Sequence, residues 1–236
     1  MKGLVVVPTY NESANIVRLV EEILRQGLDA DVLVVDDNSP DGTSRLVEDL
    51  ARSRPRVRLM ERKGARGRGL AGIEAFREAS RMPVDYVLEM DADFSHDPAY
   101  LPRLVEALKG ADVAIASRLV AGGGEPGRSP LRRCVTRLSC GWVRFLLGIP
   151  VADITSGFRG FRRSALAKID WDRMISVGPS IVEEVLWAVH RTGAKIVEIP
   201  LQFAPRSAGK SQLTLRKLFN VFWTVTSLRF RAVPLR

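Results

Sequence analysis

VDYVLEMDAD, residues 84–93, is an apolar run that ends in two acids one residue apart, and this junction decides the fold. The apolar part, 84–90, reads as a buried strand. Asp91 and Asp93 follow it, and alternate residues of an extended chain point the same way. The same event recurs upstream. Strand 3–7 of GLVVVPTYNE runs into Pro8, Thr9, Tyr10, Asn11 and Glu12. Strand 31–36 of DVLVVDDNSPDG runs into Asp36, Asp37, Asn38 and Asp41. Further strands at 56–60 and 112–117, the last running into Ser117 and Arg118, alternate with helical patterns at 13–26, 41–53, 68–81 and 98–109. Such alternation implies an α/β fold, a mostly parallel, twisted sheet flanked by helices. Ligands of such sheets bind beyond the carboxyl ends of the strands, where these polar residues collect.

After residue 118 the pattern changes. A glycine-rich loop (Gly122, Gly123, Gly124, Gly127) leads to a basic helix near 130–147. DITSGFRGF (153–161), a helix over 179–192, a strand over 194–199 and an amphipathic tail from about 214 follow. With no internal repeat or low-complexity linker, residues 1–213 read as one domain, and 214–236 as a basic C-terminal helix.

Charge is unevenly spread. Six arginines against one glutamate in 118–144, and seven Arg or Lys with no acid from 204 onward, exceed the whole net charge of +9. The rest of the chain is therefore net acidic. Two basic patches imply an anionic partner. Nucleic acid is disfavoured, because the stacking aromatics of a basic groove are missing. No run of 18 uncharged apolar residues suggests a spanning helix. The absence of a signal-peptide pattern and the single pair Cys134 and Cys140 fit a reducing, cytoplasmic setting. Residues 214–231 (TLRKLFNVFWTVTSLRFR) mix aromatics with cations only. That composition suits either a helix at a membrane interface or one packed on the core.

Acids crowded on one rim repel one another unless a cation intervenes. Oxygen ligands suit Mg²⁺ or Mn²⁺, and Asp91 and Asp93 are the best candidates to hold it. There is no G-x-G-x-x-G after the first strand and no G-x-x-x-x-G-K-[ST], so neither a Rossmann dinucleotide site nor a phosphate loop is expected.

As a set, PTYNE (8–12), VVDDNSPDGT (34–43), RKGARGRGLAGI (62–73), DADFSH (91–96), ASR (116–118) and DITSGFRGFRR (153–163) resemble the family 2 glycosyltransferases. The last three are most similar to the dolichyl-phosphate mannose synthase branch. The resemblance spans about residues 3–212 and implies a GT-A-type nucleotide-binding domain. It further implies metal-dependent, inverting transfer of a sugar, mannose from GDP-mannose foremost, to dolichyl or polyprenyl phosphate at a membrane surface. Pro8, Tyr10, Glu12 and Asp37 would hold the nucleoside, and Asp91 and Asp93 the metal and diphosphate. His96 would add a metal or diphosphate contact. Arg118, Arg132, Thr136, Arg206 and Lys210 would bind the acceptor phosphate, Arg118 also serving catalysis. Two departures keep other sugars open. Gln212 stands where the branch usually has lysine, and GPSIVEE (178–184) replaces an aromatic, glutamine-rich segment before Glu184. Glucose or N-acetylglucosamine from a UDP-sugar, or a non-lipid acceptor, are the alternatives.

Overall fold

Alternate residues of the first strand enter two different cores. Leu4 and Val6 join one buried cluster, Val5 and Val7 the other. A sheet whose two faces are both covered demands such continuous apolar strands. The computed structural model describes residues 1–203 and 215–236. In chain order it runs β1 (Gly3–Thr9), α1 (Ile16–Arg25), β2 (Ala30–Asp36), α2 (Thr43–Ser53), β3 (Val57–Glu61), α3 (Arg68–Arg81), β4 (Tyr86–Glu89), α4 (Leu101–Ala107) and β5 (Val113–Ser117). Then come α5 (Pro130–Leu147), β6 (Arg159–Arg162), α6 (Arg163–Leu166), α7 (Ile181–His190), β7 (Ile196–Pro200) and α8 (Leu215–Leu228). Helix α1 shows how sequence drives this layering. Its Ile16, Leu19, Val20 and Ile23 recur at helical spacing, and all four are buried against the sheet.

Among the described residues the sheet has seven strands in the order β3-β2-β1-β4-β6-β5-β7. All neighbours are parallel except β6, which runs antiparallel between β4 and β5. The sequence patterns find every strand but this one. β6 is four residues long and begins with an arginine, so it carries no apolar run. Its register explains the arginine: Arg159 lies opposite Glu89 of β4, and the two side chains pair.

The C-terminal helix has a buried part and an exposed part. Val225 and Leu228 are fully buried, and Leu235 bridges back to Ile169. Phe219, Phe222 and Trp223 are exposed. Among the described residues no helix is long and apolar enough to cross a membrane. Cys134 and Cys140 are both free thiols.

Candidate active site

β1, β2 and β4 run parallel, so their carboxyl ends bring residues 8–12, 36–41 and 91–96 to one rim. At three bends of this rim a non-glycine residue takes a left-handed conformation: Asn11, Asn38 and Phe94, with φ near 60°. For a bulky side chain such as Phe94 that conformation is costly, and such strain gathers at functional sites. The bend at Phe94 folds the chain back on itself. Ser95 then donates to Asp93 Oδ1 from its amide (3.0 Å) and hydroxyl (2.5 Å). The Arg18 guanidinium lies 5.0 Å over the Phe94 ring and braces the bend.

Polar and basic side chains hold several of the rim acids. Asp36 is buried and accepts hydrogen bonds from Thr9, Ser39 and Ser44. Asp37 is also buried, and its two oxygens take a bond from Arg62 and one from the Gly67 amide at 2.7 Å. Glu89, beneath the rim, is held by Arg68 at 2.7 Å and Arg159 at 3.0 Å. Burial works to raise the pKa of Glu89, but the two arginines outweigh it and keep it an anion. Arg68 also reaches Asp91 at 3.5 Å. Arg62 and Arg68 come from the basic-glycine run, which is therefore the counter-charge of the acidic rim. Its glycines permit close approach. A Cβ on Gly67 would stand 2.3 Å from the Val177 carbonyl oxygen, and one on Gly69 2.0 Å from that of Ser176. Glu184 secures the same 175–177 segment by accepting the amides of Ile175 and Ser176.

Of the residues expected to hold a nucleoside, Pro8, Tyr10 and Glu12 are partly exposed on the rim. Arg66 lies 5.2 Å over the Tyr10 ring. Glu12 accepts from Asn15 at 2.8 Å. Asp37 differs: both its oxygens serve the loop that follows β3, so it shapes the rim from below.

Asp91, Asp93 and His96 come together. Asp91 presents a side chain 40% exposed. His96 is buried, stacked on Phe158 at 4.9 Å, with Nε2 3.9 Å from Asp91 Oδ2. Its Nδ1 accepts the Asp91 amide at 3.0 Å. Burial holds the ring's pKa down against the pull of Asp91 and Asp93. With Nδ1 accepting, the single proton sits on Nε2. In this arrangement that atom presents a hydrogen towards Asp91. Among the described residues, no three His, Cys, Asp or Glu side chains form a metal cage. Mg²⁺-type ions commonly take one or two carboxylates and complete their shell with water and substrate phosphate. Asp91 and Asp93 fit an ion held in that way.

A second, basic cluster adjoins the first across one ring. Phe203 meets His96 edge-on at 5.9 Å and lies 5.5 Å below each of the Arg118 and Arg128 guanidiniums. Arg118 is nearly buried and already paired. Its Nε and Nη2 bind Asp153 at 2.7 and 2.6 Å, and Nη2 also binds Thr155. Only Nη1 turns towards the cluster, 3.5 Å from Glu125. Thr136 Oγ1 is 3.3 Å from Arg128 and donates to the Arg132 carbonyl. The Arg132 side chain stands exposed on the first turn of α5. Arg206 and Lys210 lie outside the described residues. Sequence reasoning missed Arg128, Glu125 and Phe203. Arg128 was counted in the charge of 118–144, but nothing in its neighbours marked it as inward-facing.

The family model for glycosyl transferase family 2 matches residues 4–170. A polyprenol monophosphomannose synthase of Mycolicibacterium smegmatis is 39% identical over 90% of this chain and 81% of its own. An undecaprenyl-phosphate mannosyltransferase of Micrococcus luteus is 36% identical over 91% of this chain and 88% of its own. Among solved structures, the glucosyl-3-phosphoglycerate synthase of Mycobacterium tuberculosis, determined with Mn²⁺, uridine-diphosphate-glucose and phosphoglyceric acid, superposes with a TM-score of 0.71. It is 20% identical, with 98% of this chain and 80% of that one covered, which is a likeness of fold.

Proposed function

We propose that this chain, which belongs to glycosyl transferase family 2, transfers mannose from GDP-mannose to a polyprenyl phosphate, with inversion at the anomeric carbon. One observation carries the reading: His96, 3.9 Å from Asp91, and the arginines of the basic cluster all meet the Phe203 ring, so the acidic turn and the basic cluster are neighbours. A nucleotide sugar at the acids would direct its anomeric carbon towards an anion at the arginines.

In this reading a lipid phosphate oxygen forms the new bond to the anomeric carbon while the bond to the nucleotide diphosphate breaks. No strong base is required, because a phosphate monoester has a second pKa of about 6 and is already a nucleophile at neutral pH. Asp91 and Asp93 would hold Mg²⁺ or Mn²⁺, which supplies Lewis-acid stabilisation of the leaving diphosphate. His96 would donate from Nε2 towards the same diphosphate. Pro8, Tyr10 and Glu12 would line the nucleoside, with Asp37 fixing the loop beside it. Arg128, with Nη1 of Arg118, would meet the lipid phosphate, and Arg132 and Thr136 lie one turn apart beside them.

Surface chemistry supports a peripheral position on the cytoplasmic face of a membrane. Helix α5 carries Leu131, Val135, Leu138, Trp142 and Phe145 at helical spacing, with Leu131 74%, Leu138 68% and Phe145 88% exposed. Four arginines and no acid share that helix. Trp142 stacks on Phe222 of α8 at 4.4 Å, so the two helices present one apolar, cationic surface. Apolar side chains over cations suit an anionic lipid interface.

The test is a transfer assay with the full chain, undecaprenyl phosphate and Mg²⁺ or Mn²⁺, offering labelled GDP-mannose, UDP-glucose and UDP-N-acetylglucosamine in parallel. Mannosyl lipid formed from GDP-mannose is expected. Label entering the lipid only from a UDP-sugar would overturn the assignment of sugar and base.

A further inference from the structure

Glu125 occupies the seat where an anion would sit. Its side chain is 4% exposed, on the glycine-rich loop between β5 and α5. Oε1 is bonded by Arg128 Nη1 and lies 3.5 Å from Arg118 Nη1. Nη1 is the nitrogen of Arg118 that Asp153 does not engage. The Phe203 ring closes the floor beneath both guanidiniums. Charge-assisted contacts of this kind are what a phosphate makes with arginine.

The loop is built so that the side chain can leave while the backbone stays. One residue before Glu125, Gly124 donates to the Leu201 carbonyl and accepts from the Phe203 amide, both at 2.9 Å. Two residues after it, Gly127 takes φ +76°, in the left-handed region where glycine costs nothing. Ser129 then caps α5. The carboxylate thus hangs between a fixed bridge and a permissive turn.

We propose that Glu125 is an internal placeholder for the acceptor phosphate, which binds by displacing this carboxylate from Arg118 and Arg128. The inference rests on the reading above that the acceptor is a lipid phosphate. Asp153 alone would leave Arg118 and Arg128 with one unbalanced positive charge, so the placeholder keeps the empty seat neutral. A phosphate monoester brings three oxygens and close to two charges, and so outcompetes one carboxylate where an alcohol cannot. The arrangement also taxes every anion that binds there: apparent affinity falls by the fraction of time the seat is open.

The experiment is calorimetric titration of the full chain with geranyl monophosphate, with geraniol as the uncharged control. If the carboxylate fills the seat about nine-tenths of the time, Glu125→Gln tightens Kd for the monophosphate about tenfold. Glu125→Asp keeps the charge but shortens the arm, so it loses the bridge and should also tighten binding. Geraniol binding should not change. A simple loss of negative charge would move Glu125→Gln and leave Glu125→Asp at the parent value, and that result overturns displacement. A merely structural ion pair would make both variants bind more weakly, which overturns it too. The aspartate variant keeps the question answerable if the glutamine variant folds poorly. If the parent binds no monophosphate at millimolar concentration, the acceptor reading itself falls. If the parent binds and neither variant tightens, only the placeholder falls.

Discussion

The acidic rim and the basic cluster, which meet where His96 and the two arginines contact Phe203, use the same kinds of charge in opposite roles. On one side acids lead and arginines restrain them: Arg62 on Asp37, Arg68 and Arg159 on Glu89. On the other side arginines lead and acids restrain them: Asp153 on Arg118, Glu125 on Arg128. The footing differs. The acidic side stands on the ends of central strands, where the sheet sets every position. The basic side hangs on a glycine loop and the exposed start of α5. The first is a rigid frame for a polar ligand, and the second can exchange its partners.

The contrast breaks hardest at Arg159, which is fully buried and pairs with the fully buried Glu89. Arg159→Leu leaves that carboxylate short of a partner and should cost about 3–5 kcal/mol of stability. Chemical denaturation measures it. A loss no larger than that of an exposed pair on the same protein, such as Arg52 with Asp49, would show the frame to be less rigid than described. The next effect is chemical. Asp91→Asn should lower turnover about 10²- to 10³-fold, the scale of one lost electrostatic contact in the transition state. Excess EDTA should silence the parent, and full activity in EDTA would remove the metal from the acidic side.

Glu183 sharpens the comparison from within. It is buried like Glu89, but among the described residues no arginine is hydrogen-bonded to it and its Oε2 has no partner. Burial pushes its pKa up from 4.5 to about 7. A raised value means that the fold favours the protonated form. That contribution is complete below pH 4.5, declines between 4.5 and 7, and is absent above 7. Glu183→Gln mimics the protonated form, so its stability gain over the parent should grow across that window to at most about 3 kcal/mol at pH 8. Melting curves of both proteins at pH 5 and pH 8 check it. An equal difference at the two pH values would mean that Glu183 stays ionised.

The smallest effect belongs to the outer surface. Leu138→Asp should weaken binding to vesicles containing anionic lipid about ten- to a hundredfold, because a lost apolar side chain at the interface is worth about 1.5–3 kcal/mol. Turnover on a short soluble acceptor should stay unchanged. Co-sedimentation at low and high salt measures the first, and parental vesicle binding by the variant would put the surface to another use.

Much of the acidic side was legible in the sequence, because each acid directly follows an apolar strand. Its restraints were not. Glu89 and Arg159 are 70 positions apart and meet only through the antiparallel β6, which has no apolar run to betray it. The basic side was legible as charge but not as geometry. Arg132 and Arg128 look alike in sequence, yet one is exposed on α5 and the other turns inward onto Phe203. The Nδ1 bond that fixes the tautomer of His96 depends on the bend at Phe94, which a linear motif does not encode.

The stack of Trp142 on Phe222 makes the molecule its own reporter. Of four tryptophans, Trp171 and Trp187 are buried in the core, whereas Trp142 and Trp223 lie on the paired surface of α5 and α8. Indole emission therefore has an inner and an outer share. Brominated acyl chains quench only rings that reach them, so contact with a bilayer would dim the outer share and leave the inner one lit. Replacing Trp142 and Trp223 by phenylalanine would erase that response, giving a label-free optical assay of when and how deeply the protein engages lipid.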